Sequence, residues 1–532
     1  MKHASPPRTA ARRTPLKARL GAALCAFSLV CPAALPATAQ AQNTLPALGD
    51  PEAESFTVGT ERKLGDQIMR EIRADPDYLD DPVLLEYLES IWQPLVAEAR
   101  KRGNIGADID GRFAWEPFLV RDPTVNAFAL PGGYIGVQLG LIAMTATRDE
   151  LASVIAHELS HITQRHIARS IASSKRMSIL SLASLVVGLL AASRSRSPDA
   201  ANAVIVGTQA ASAQGQLNFS RDMEREADRV GFAVMVGAGF APSGMASMFE
   251  KLDQGSRLND SGGFPYLRSH PLTTERIGEA RSRMGTTPAP QPVSVLEHTV
   301  AEARARVLMD PRHDALVRWQ ALDGDQVSTT LHDKLLSAYE SALASSMLRD
   351  WSRADASIAK ALALIRGAPL PSPRAERAVL LMQADSLMAR GAAPRAAQVL
   401  QRYAGENTRP VLLALAQVAL APSSNADAKL LAERADQLQT WVAVHPNDSS
   451  AWVELGQLWS RLNQPLRSLR AEAESRAALG DLLGAVDRLR AGQKAAQSGG
   501  AVDFIDLSVI DARLRDIEAQ RKAIAADEKA TK

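Results

Sequence analysis

A short stretch in the first third of the chain combines two histidines and a glutamate at helical spacing. It reads His157-Glu158-Leu159-Ser160-His161. On a helix, positions i and i+4 lie on one face, so His157 and His161 can offer two imidazoles to one metal ion. The carboxylate of Glu158 would lie beside them, within reach of a water molecule at that ion. These residue types at this spacing therefore predict metal-assisted hydrolysis.

A metal site that activates water needs a third protein ligand and an open fourth position. A later acidic motif places Glu224 63 residues (224 − 161) after His161, and Asp228 follows one helical turn further on. We predict Glu224 as the third ligand and Asp228 as the acceptor of a ring N–H from a metal-bound histidine. Glu226 points about 160° away from Glu224 on a helical wheel, so we expect it to be solvated.

The other histidines give weaker signals. His166 follows the motif by five residues and is expected to point away from it, toward the surface. His270 precedes Pro271 where a loop meets the start of a helix, and its immediate neighbours indicate only a loop histidine. Four further histidines have no metal-binding side chains near them in sequence: His298, His313, His332 and His445.

The motif requires a helix, and the flanking sequence supplies the signals for one. Thr147 and Glu150 form a capping box that opens a predicted helix from about residue 148 to 170. Periodicity and turn residues predict further elements, a helix over 81–101 and strands over 113–120 and 126–139, the second divided by the turn Pro131-Gly132-Gly133. Residues 61–285 therefore read as a mainly α (α+β) domain in which a small β-sheet accompanies the metal-binding helix.

Beyond residue 285 no strand pattern is convincing. Residues 286–324 are rich in proline near their start and read as a linker. Residues 325–500 contain paired Ala-rich amphipathic helices, and the positions of Trp452 and Trp459 match the first helix of a tetratricopeptide (TPR) repeat. We predict a TPR-like α-helical solenoid, with a plain helical bundle as the alternative, and a C-terminal helix and tail over 501–532.

The N-terminus differs in composition from the rest of the chain. Residues 1–41 hold six basic residues and no acidic one, so without them the formal charge changes from +2 to −4 (2 − 6). The apolar stretch 20–30 and the pattern Ala39-Gln40-Ala41 predict a secretory signal peptide over 1–41, followed by a leader over 42–60. An uncleaved membrane anchor is the alternative. A chain with this net negative charge shows no excess of basic residues that would indicate nucleic-acid binding.

Both cysteines, Cys25 and Cys31, lie within the predicted signal peptide. The rest of the chain can therefore use neither disulfide bonds nor cysteine ligands. Together with the signal peptide, this composition predicts export to the periplasm of a Gram-negative bacterium.

A second apolar run covers residues 177–192. As a helix it would be about 24 Å long, which is short for a hydrocarbon core of about 30 Å. Three interpretations stay open: the run lies in a membrane surface as a peripheral contact, plugs the cleft at the metal, or is buried as a core helix. A membrane-integral protein would rest on this run alone.

Together the motifs resemble a known family. The motif helix, the run Ser220-Arg221-x-x-Glu224-x-Glu226-Ala227-Asp228-x-x-Gly231, and His270-Pro271 with Arg276-Ile277 look like the CAAX prenyl protease/HtpX family of zinc metallopeptidases. The helical repeats behind them are similar to those of the periplasmic BepA type of this family. The resemblance implies a zincin-type endopeptidase (HExxH, gluzincin type) that holds one Zn2+ per chain through His157, His161 and Glu224.

The resemblance also implies roles that the spacing does not show. His270 would act beside the catalytic Glu158, either in the fourth zinc position of a resting state or as a stabiliser of the oxyanion. An edge strand would align an extended substrate, formed by Asn126, Ala127, Phe128 and Ala129. Cleavage of prenyl proteins is not expected, because the sequence shows none of the several spanning helices of the family's membrane members.

The BepA type acts in outer-membrane quality control, which implies two kinds of partner. The first is unfolded or misassembled outer-membrane β-barrel proteins, which would be degraded or helped to assemble. The second is the outer-membrane assembly machinery, contacted through the TPR-like region. The alternative is a TPR chaperone or scaffold of outer-membrane assembly whose zinc site is vestigial or tightly autoinhibited.

Overall fold

The computed structural model describes seven ranges of the chain: residues 56–173, 220–258, 264–284, 295–322, 330–424, 426–498 and 503–531. The predicted signal peptide and the apolar run 177–192 lie outside the described residues. Within these ranges, no helix combines the length and the apolar character that a membrane crossing requires.

Helices surround a small sheet in the N-terminal part. The helices are α1 (Val58–Arg73), α2 (Pro82–Lys101), α3 (Ala107–Asp110), α4 (Leu139–Met144), α5 (Arg148–Thr163), α6 (His166–Ser173), α7 (Arg221–Gly237), α8 (Ser243–Leu258), α9 (Tyr266–Ser269) and α10 (Thr274–Arg283). The strands are β1 (Tyr78–Leu79), β2 (Glu116–Val120), β3 (Ala127–Leu130) and β4 (Tyr134–Gln138). The sheet order is β1-β2-β4-β3, with β2 and β4 parallel and the other pairs antiparallel, so β3 is an edge strand. The predicted helix over 81–101 and the two predicted strand stretches are confirmed to within a few residues.

The motif helix α5 lies inside the core. Thr147 caps it by accepting the N–H of Glu150 at 3.2 Å, and the Glu150 carboxylate accepts the N–H of Ala146 at 2.7 Å, so the predicted cap is confirmed. Every residue from Glu150 to Thr163 is buried. The helix ends at Thr163 because Arg165 takes a left-handed φ of 52°. The prediction of one continuous helix to residue 170 was therefore wrong.

Two helices lie within the stretch 286–324 that we interpreted as a linker, namely α11 (Leu296–Leu308) and α12 (His313–Ala321). Helix α11 is buried along most of its length and belongs to two cores. Ala301 packs in the core of the N-terminal part, whereas Val300 packs in the core of the repeats. Arg304 adds an ion pair of 2.7 Å to Asp81, the residue that caps α2. This helix therefore joins the two regions through packed side chains.

The region predicted as helical repeats consists of helices that pack against one another in succession. They are α13 (Leu331–Met347), α14 (Trp351–Arg366), α15 (Pro373–Ala389), α16 (Ala393–Leu400), α17 (Arg409–Leu420), α18 (Ala428–Val444), α19 (Ser449–Arg461), α20 (Pro465–Ala478), α21 (Leu482–Ser498) and α22 (Phe504–Thr531). Neighbours along the chain form the main contacts, as α13 with α14, α19 with α20, and α20 with α21. The fold is thus mainly α with one small sheet, as predicted.

Candidate metal centre

Helices α5 and α7 bring the two sequence motifs together. All of the motif side chains are buried: His157, Glu158, His161, Glu224 and Asp228. His161 Nε2 lies 3.4 Å from Glu224 Oε1, and His157 Nε2 lies 3.5 Å from Glu224 Oε2. Gly231 permits this approach, because a Cβ atom there would lie only 3.0 Å from the carbonyl oxygen of Ala156.

His270 reaches the same point from the end of α9. Its ring stacks on that of Tyr266, with centroids 4.6 Å apart. Its Nδ1 lies 3.0 Å from Glu224 Oε1 and 3.3 Å from His157 Nε2, and its Nε2 lies 3.5 Å from Glu158 Oε1. Four side chains thus each place one ligand atom within 4.8 Å of the others: His157, His161, Glu224 and His270. In the described part of the chain, no other group of three or more His, Cys, Asp or Glu residues could hold a metal ion.

The donor atoms and their spacing fit a divalent cation. Asp228 Oδ1 accepts the Nδ1 proton of His157 at 2.9 Å, which leaves the Nε2 lone pair of His157 facing the cluster. His157 Nε2 and His161 Nε2 are 3.0 Å apart. In a tetrahedral site with bonds of about 2.0–2.2 Å, ligand atoms lie about 3.3–3.6 Å apart, close to the distances here. Oxygen Oε1 of Glu158 is buried and has no hydrogen-bond partner among the described residues.

Arg276 is a site residue to which sequence reasoning assigned no role. Its guanidinium donates to both carboxylate oxygens of Asp228 at 2.7 and 2.8 Å and lies 2.9 Å from Glu224 Oε2. It also donates to the carbonyl of Pro271 at 2.9 Å, directly after His270. Arg276 therefore ties α7 to the loop that carries His270. Its place in the quoted His270-Pro271 and Arg276-Ile277 pattern was the signal available in the sequence.

The surroundings lower the pKa of Glu224 and Asp228 but raise the pKa of Glu158. Burial raises the pKa of Glu224, but His270 and His157 outweigh burial and hold that pKa far below its ordinary value. Burial likewise opposes ionisation of Asp228, yet Arg276 and His157 lower its pKa to about 2. For Glu158, burial outweighs the nearby imidazoles and raises the pKa. The protein groups alone therefore hold Glu224 and Asp228 as carboxylates and bring Glu158 closer to exchanging a proton.

His166 is completely buried, so the prediction that it lies at the surface was wrong. Its Nδ1 lies 2.9 Å from Nδ1 of His161, and its Nε2 lies 3.1 Å from Oε2 of Glu226. Glu226 is only partly exposed and also accepts from Arg169, so it is less solvated than its position on the helical wheel predicted. The expectation for His166 assumed one unbroken helix through residue 170, and the left-handed turn at Arg165 removes that assumption.

The edge strand β3 runs beside the motif helix. The N–H of Ala129 donates to Oε2 of Glu158 at 3.0 Å. Asn126 accepts the N–H of Gln138 at 3.1 Å, which makes this pair one of the hydrogen-bonded pairs of the antiparallel ladder. Since such pairs alternate along the strands, the backbone groups of Ala127 and Ala129 point away from β4. Ala127 is completely buried, whereas Ala129 is partly exposed.

Residues 88–284 match the model of Peptidase family M48. This interval contains every residue of the cluster described above. The match confirms the resemblance to a metallopeptidase family that the motifs indicated.

Curated relatives extend the similarity. The beta-barrel assembly-enhancing protease of Escherichia coli (strain K12) is 34% identical over 268 residues, 50% of this chain and 52% of that protein. The beta-barrel assembly-enhancing protease of Yersinia pestis is 28% identical over 449 residues, 84% of this chain and 87% of that protein. The mitochondrial metalloendopeptidase OMA1 of Schizosaccharomyces pombe is 35% identical over 164 residues, 31% of this chain and 44% of that protein. The chain thus spans about half the length of the Escherichia coli and Schizosaccharomyces pombe relatives.

Proposed function

We propose that this protein is a zinc-dependent endopeptidase in which His157, His161 and Glu224 hold the metal. The observation that carries the proposal is the convergence of these buried side chains with His270, within 4.8 Å. Imidazole and carboxylate donors in this number suit Zn2+. The match of residues 88–284 to a peptidase family supports the same activity independently.

Glu158 would act as the general base and then as the general acid. When bound, the ion supplies Lewis acidity, which polarises a peptide carbonyl and makes water a stronger acid. Glu158 takes the proton of the attacking water and delivers it to the leaving amine. The N–H of Ala129 holds its Oε2, while its Oε1 lies 3.5 Å from His270 Nε2 at the cluster. The raised pKa of Glu158 favours this exchange.

The residues from Asn126 to Ala129 would align the substrate. The carbonyl of Ala129 points away from β4 at the edge of the sheet and would pair with an extended peptide as a further strand. Because Ala129 also donates to Glu158, the peptide would lie directly beside the catalytic carboxylate. This arrangement favours unfolded segments over folded proteins as substrates.

We further propose that the enzyme works in the periplasm of a Gram-negative bacterium on misfolded or stalled outer-membrane β-barrel proteins. The predicted signal peptide and the names of the Escherichia coli and Yersinia pestis relatives support this setting. The helical repeats, as a TPR-like solenoid, would contact the assembly machinery and give the protein a second, chaperone-like role.

A Glu158→Gln variant tests the enzyme directly. The substitution keeps the size of the side chain and removes its ability to accept the proton. We expect the variant to keep one zinc per chain by metal analysis and to lose about 10²–10⁴ in kcat on an unfolded β-barrel protein. The matched control Glu250→Gln changes a partly exposed glutamate that pairs with Arg281, and it should leave both quantities unchanged. Full hydrolysis by Glu158→Gln would refute the mechanism, and full complementation in cells would favour the chaperone or scaffold alternative.

The place of His270 in the cluster supports a closed resting state, in which its ring would hold the metal as a fourth ligand and keep water and substrate away from it. Displacing the ring would then be the activating step. A His270→Ala variant is expected to hydrolyse short peptides faster than the wild type. Lower activity on every substrate would contradict this switch and leave His270 as a stabiliser of the oxyanion.

A further inference from the structure

His166 contacts the nitrogen of His161 that does not face the metal cluster. The two Nδ1 atoms are 2.9 Å apart, and on the far side of the His166 ring its Nε2 lies 3.1 Å from Oε2 of Glu226. His166 opens α6, while Glu226 lies on α7, two residues after Glu224. A chain of three side chains thus runs from the cluster outward through His161, His166 and Glu226.

For a neutral His166, the carboxylate of Glu226 sets the direction of these hydrogen bonds. A carboxylate only accepts, so the proton between Glu226 and His166 belongs to Nε2 of His166. A neutral His166 then presents a lone pair at Nδ1, and His161 must donate its own Nδ1 proton to it. This leaves the Nε2 lone pair of His161 directed at the cluster. A proton on Nδ1 of His166 would instead force His161 to carry its proton on Nε2, where it could not bind a metal.

We propose that His166 and Glu226 are positioning residues, which orient the His161 ring and keep its Nε2 available to the metal. The proposal deepens the metal site described above and rests on it. His157 receives the same support from a single carboxylate, because Asp228 accepts its Nδ1 proton directly at 2.9 Å. His161 receives the corresponding support from Glu226 through the imidazole of His166.

The break in the motif helix makes this relay geometrically possible. Arg165 takes a left-handed φ and is held by Glu61 of α1, whose Oε2 accepts from its guanidinium at 3.0 Å. Arg165 also donates to the carbonyl of Phe56 at 2.9 Å. Phe56 and Glu61 thus hold the turn between α5 and α6, and this turn places the His166 ring in contact with His161.

The test is the zinc affinity of the full-length protein, measured by competition with a chromophoric chelator. His166→Leu is expected to weaken zinc binding about 10- to 100-fold, the usual effect of losing the partner of a ligand histidine. His166→Asn should recover most of this loss, because the amide oxygen can accept the Nδ1 proton of His161 near the position of the lost imidazole nitrogen. Glu226→Ala should weaken binding about 10-fold. Arg169→Ala, which removes only the second partner of Glu226, should stay within about twofold.

Circular dichroism of the metal-free variants identifies any variant that fails to fold. Glu226→Ala changes only a partly exposed position and is expected to fold, so the test stays valid even if His166→Leu does not fold. Wild-type affinity in folded His166→Leu and Glu226→Ala would overturn the proposal while leaving the metal site intact. Equal losses in His166→Leu and His166→Asn would also overturn it, because they would reflect packing and not hydrogen-bond acceptance. A loss in Arg169→Ala as large as that in Glu226→Ala would point to local charge instead. Wild-type protein that takes up no zinc would overturn this inference and the proposed function together.

Discussion

The metal centre and the helical repeats are held together by different kinds of contact. In the metal centre, charged side chains are buried and satisfy one another, as where Asp228 is shared by His157 and Arg276. In the repeats, the cores consist of apolar side chains, as where Leu455 of α19 belongs to one core with Leu438 of α18. A buried polar network must be satisfied atom by atom, whereas an apolar interface needs the right volume and pattern. Substitutions in the first region should therefore change metal binding, and those in the second should change stability alone.

The largest effect is expected at Glu224. Zinc-finger sites with four protein ligands gain about 10–16 kcal/mol on binding, so one ligand corresponds to about 2.5–4 kcal/mol, or roughly 70- to 900-fold in affinity. Glu224→Ala should therefore lose most of its zinc during dialysis, as measured by metal analysis. Asp222→Ala is the matched control, because Asp222 lies exposed on the first turn of the same helix. Zinc affinity of Glu224→Ala equal to that of the control would contradict the contrast between the regions.

A core substitution in the repeats should have an effect of comparable size, but on the free energy of unfolding and not on zinc affinity. Leu455 is completely buried, and Leu455→Ala should reduce the free energy of unfolding by about 2–5 kcal/mol, seen as a lower denaturation midpoint of the repeat region. Val453→Ala on the same helix removes a side chain that is 42% exposed and should change it by less than about 0.5 kcal/mol. Zinc affinity should be the same in both variants. A parallel loss of zinc in Leu455→Ala would mean that the two regions are more tightly coupled than their contacts indicate.

A smaller effect on zinc affinity is expected at Asp228, which contacts the predicted metal ligand His157. Asp228→Asn retains an oxygen for the His157 ring but removes the charge that pairs with Arg276. Zinc affinity should fall about 10-fold, with little change in the thermal stability of the repeats. An unchanged affinity would show that orientation of His157 does not depend on this carboxylate.

The smallest effect is expected where the two regions meet. Glu302 on α11 and Glu340 on α13 share the guanidinium of Arg306, at 2.5 and 3.5 Å. Burial raises the pKa of each glutamate to about 7, and Arg306 lowers it only in part. Other charged or titratable groups act on this cluster as well: Glu150, Lys251, His332 and Asp333.

The folded protein therefore binds protons at these carboxyl groups more tightly than the unfolded chain does. Their contribution to stability is greatest below the unfolded pKa of 4.5 and is lost as the pH rises through about 7. Glu340→Gln should raise the melting temperature at pH 8 by about 1–3 °C, corresponding to about 1 kcal/mol, and should flatten the decline between pH 5 and 7. Glu433→Gln, at an exposed repeat position, serves as control. A pH profile of Glu340→Gln that coincides with that of the wild type would exclude this role.

Much of the site could be predicted because its spacing is local. His157, Glu158 and His161 lie within five consecutive residues of one helix, and Glu224 and Asp228 are separated by one turn of another. Helical periodicity alone then places each set on one face. The capping box at Thr147 is local in the same way, and it forms as predicted.

The predictions that were wrong concerned residues whose positions depend on a break in the backbone or on contacts between distant segments. The turn at Gln164 and Arg165 carries no glycine or proline, so the sequence offered no signal that α5 ends there. With the helix assumed to continue, His166 could only be expected at the surface. Pro288, Pro290 and Pro292 indicate a linker at the start of 286–324, whereas α11 begins just after these three prolines, at Leu296.

The sequence by itself determined which residue types stand one helical turn apart, and hence the chemistry that this chain can perform. It also determined that paired helices follow the region of the metal-binding motifs, because amphipathic periodicity is a property of a single segment. Only the tertiary structure decided that His270, 113 residues after His157, reaches the same cluster, and that Arg276 and His166 support it. These contacts join segments that are far apart in the chain or separated by a break. Their geometry depends on how helices pack, and no local pattern encodes it.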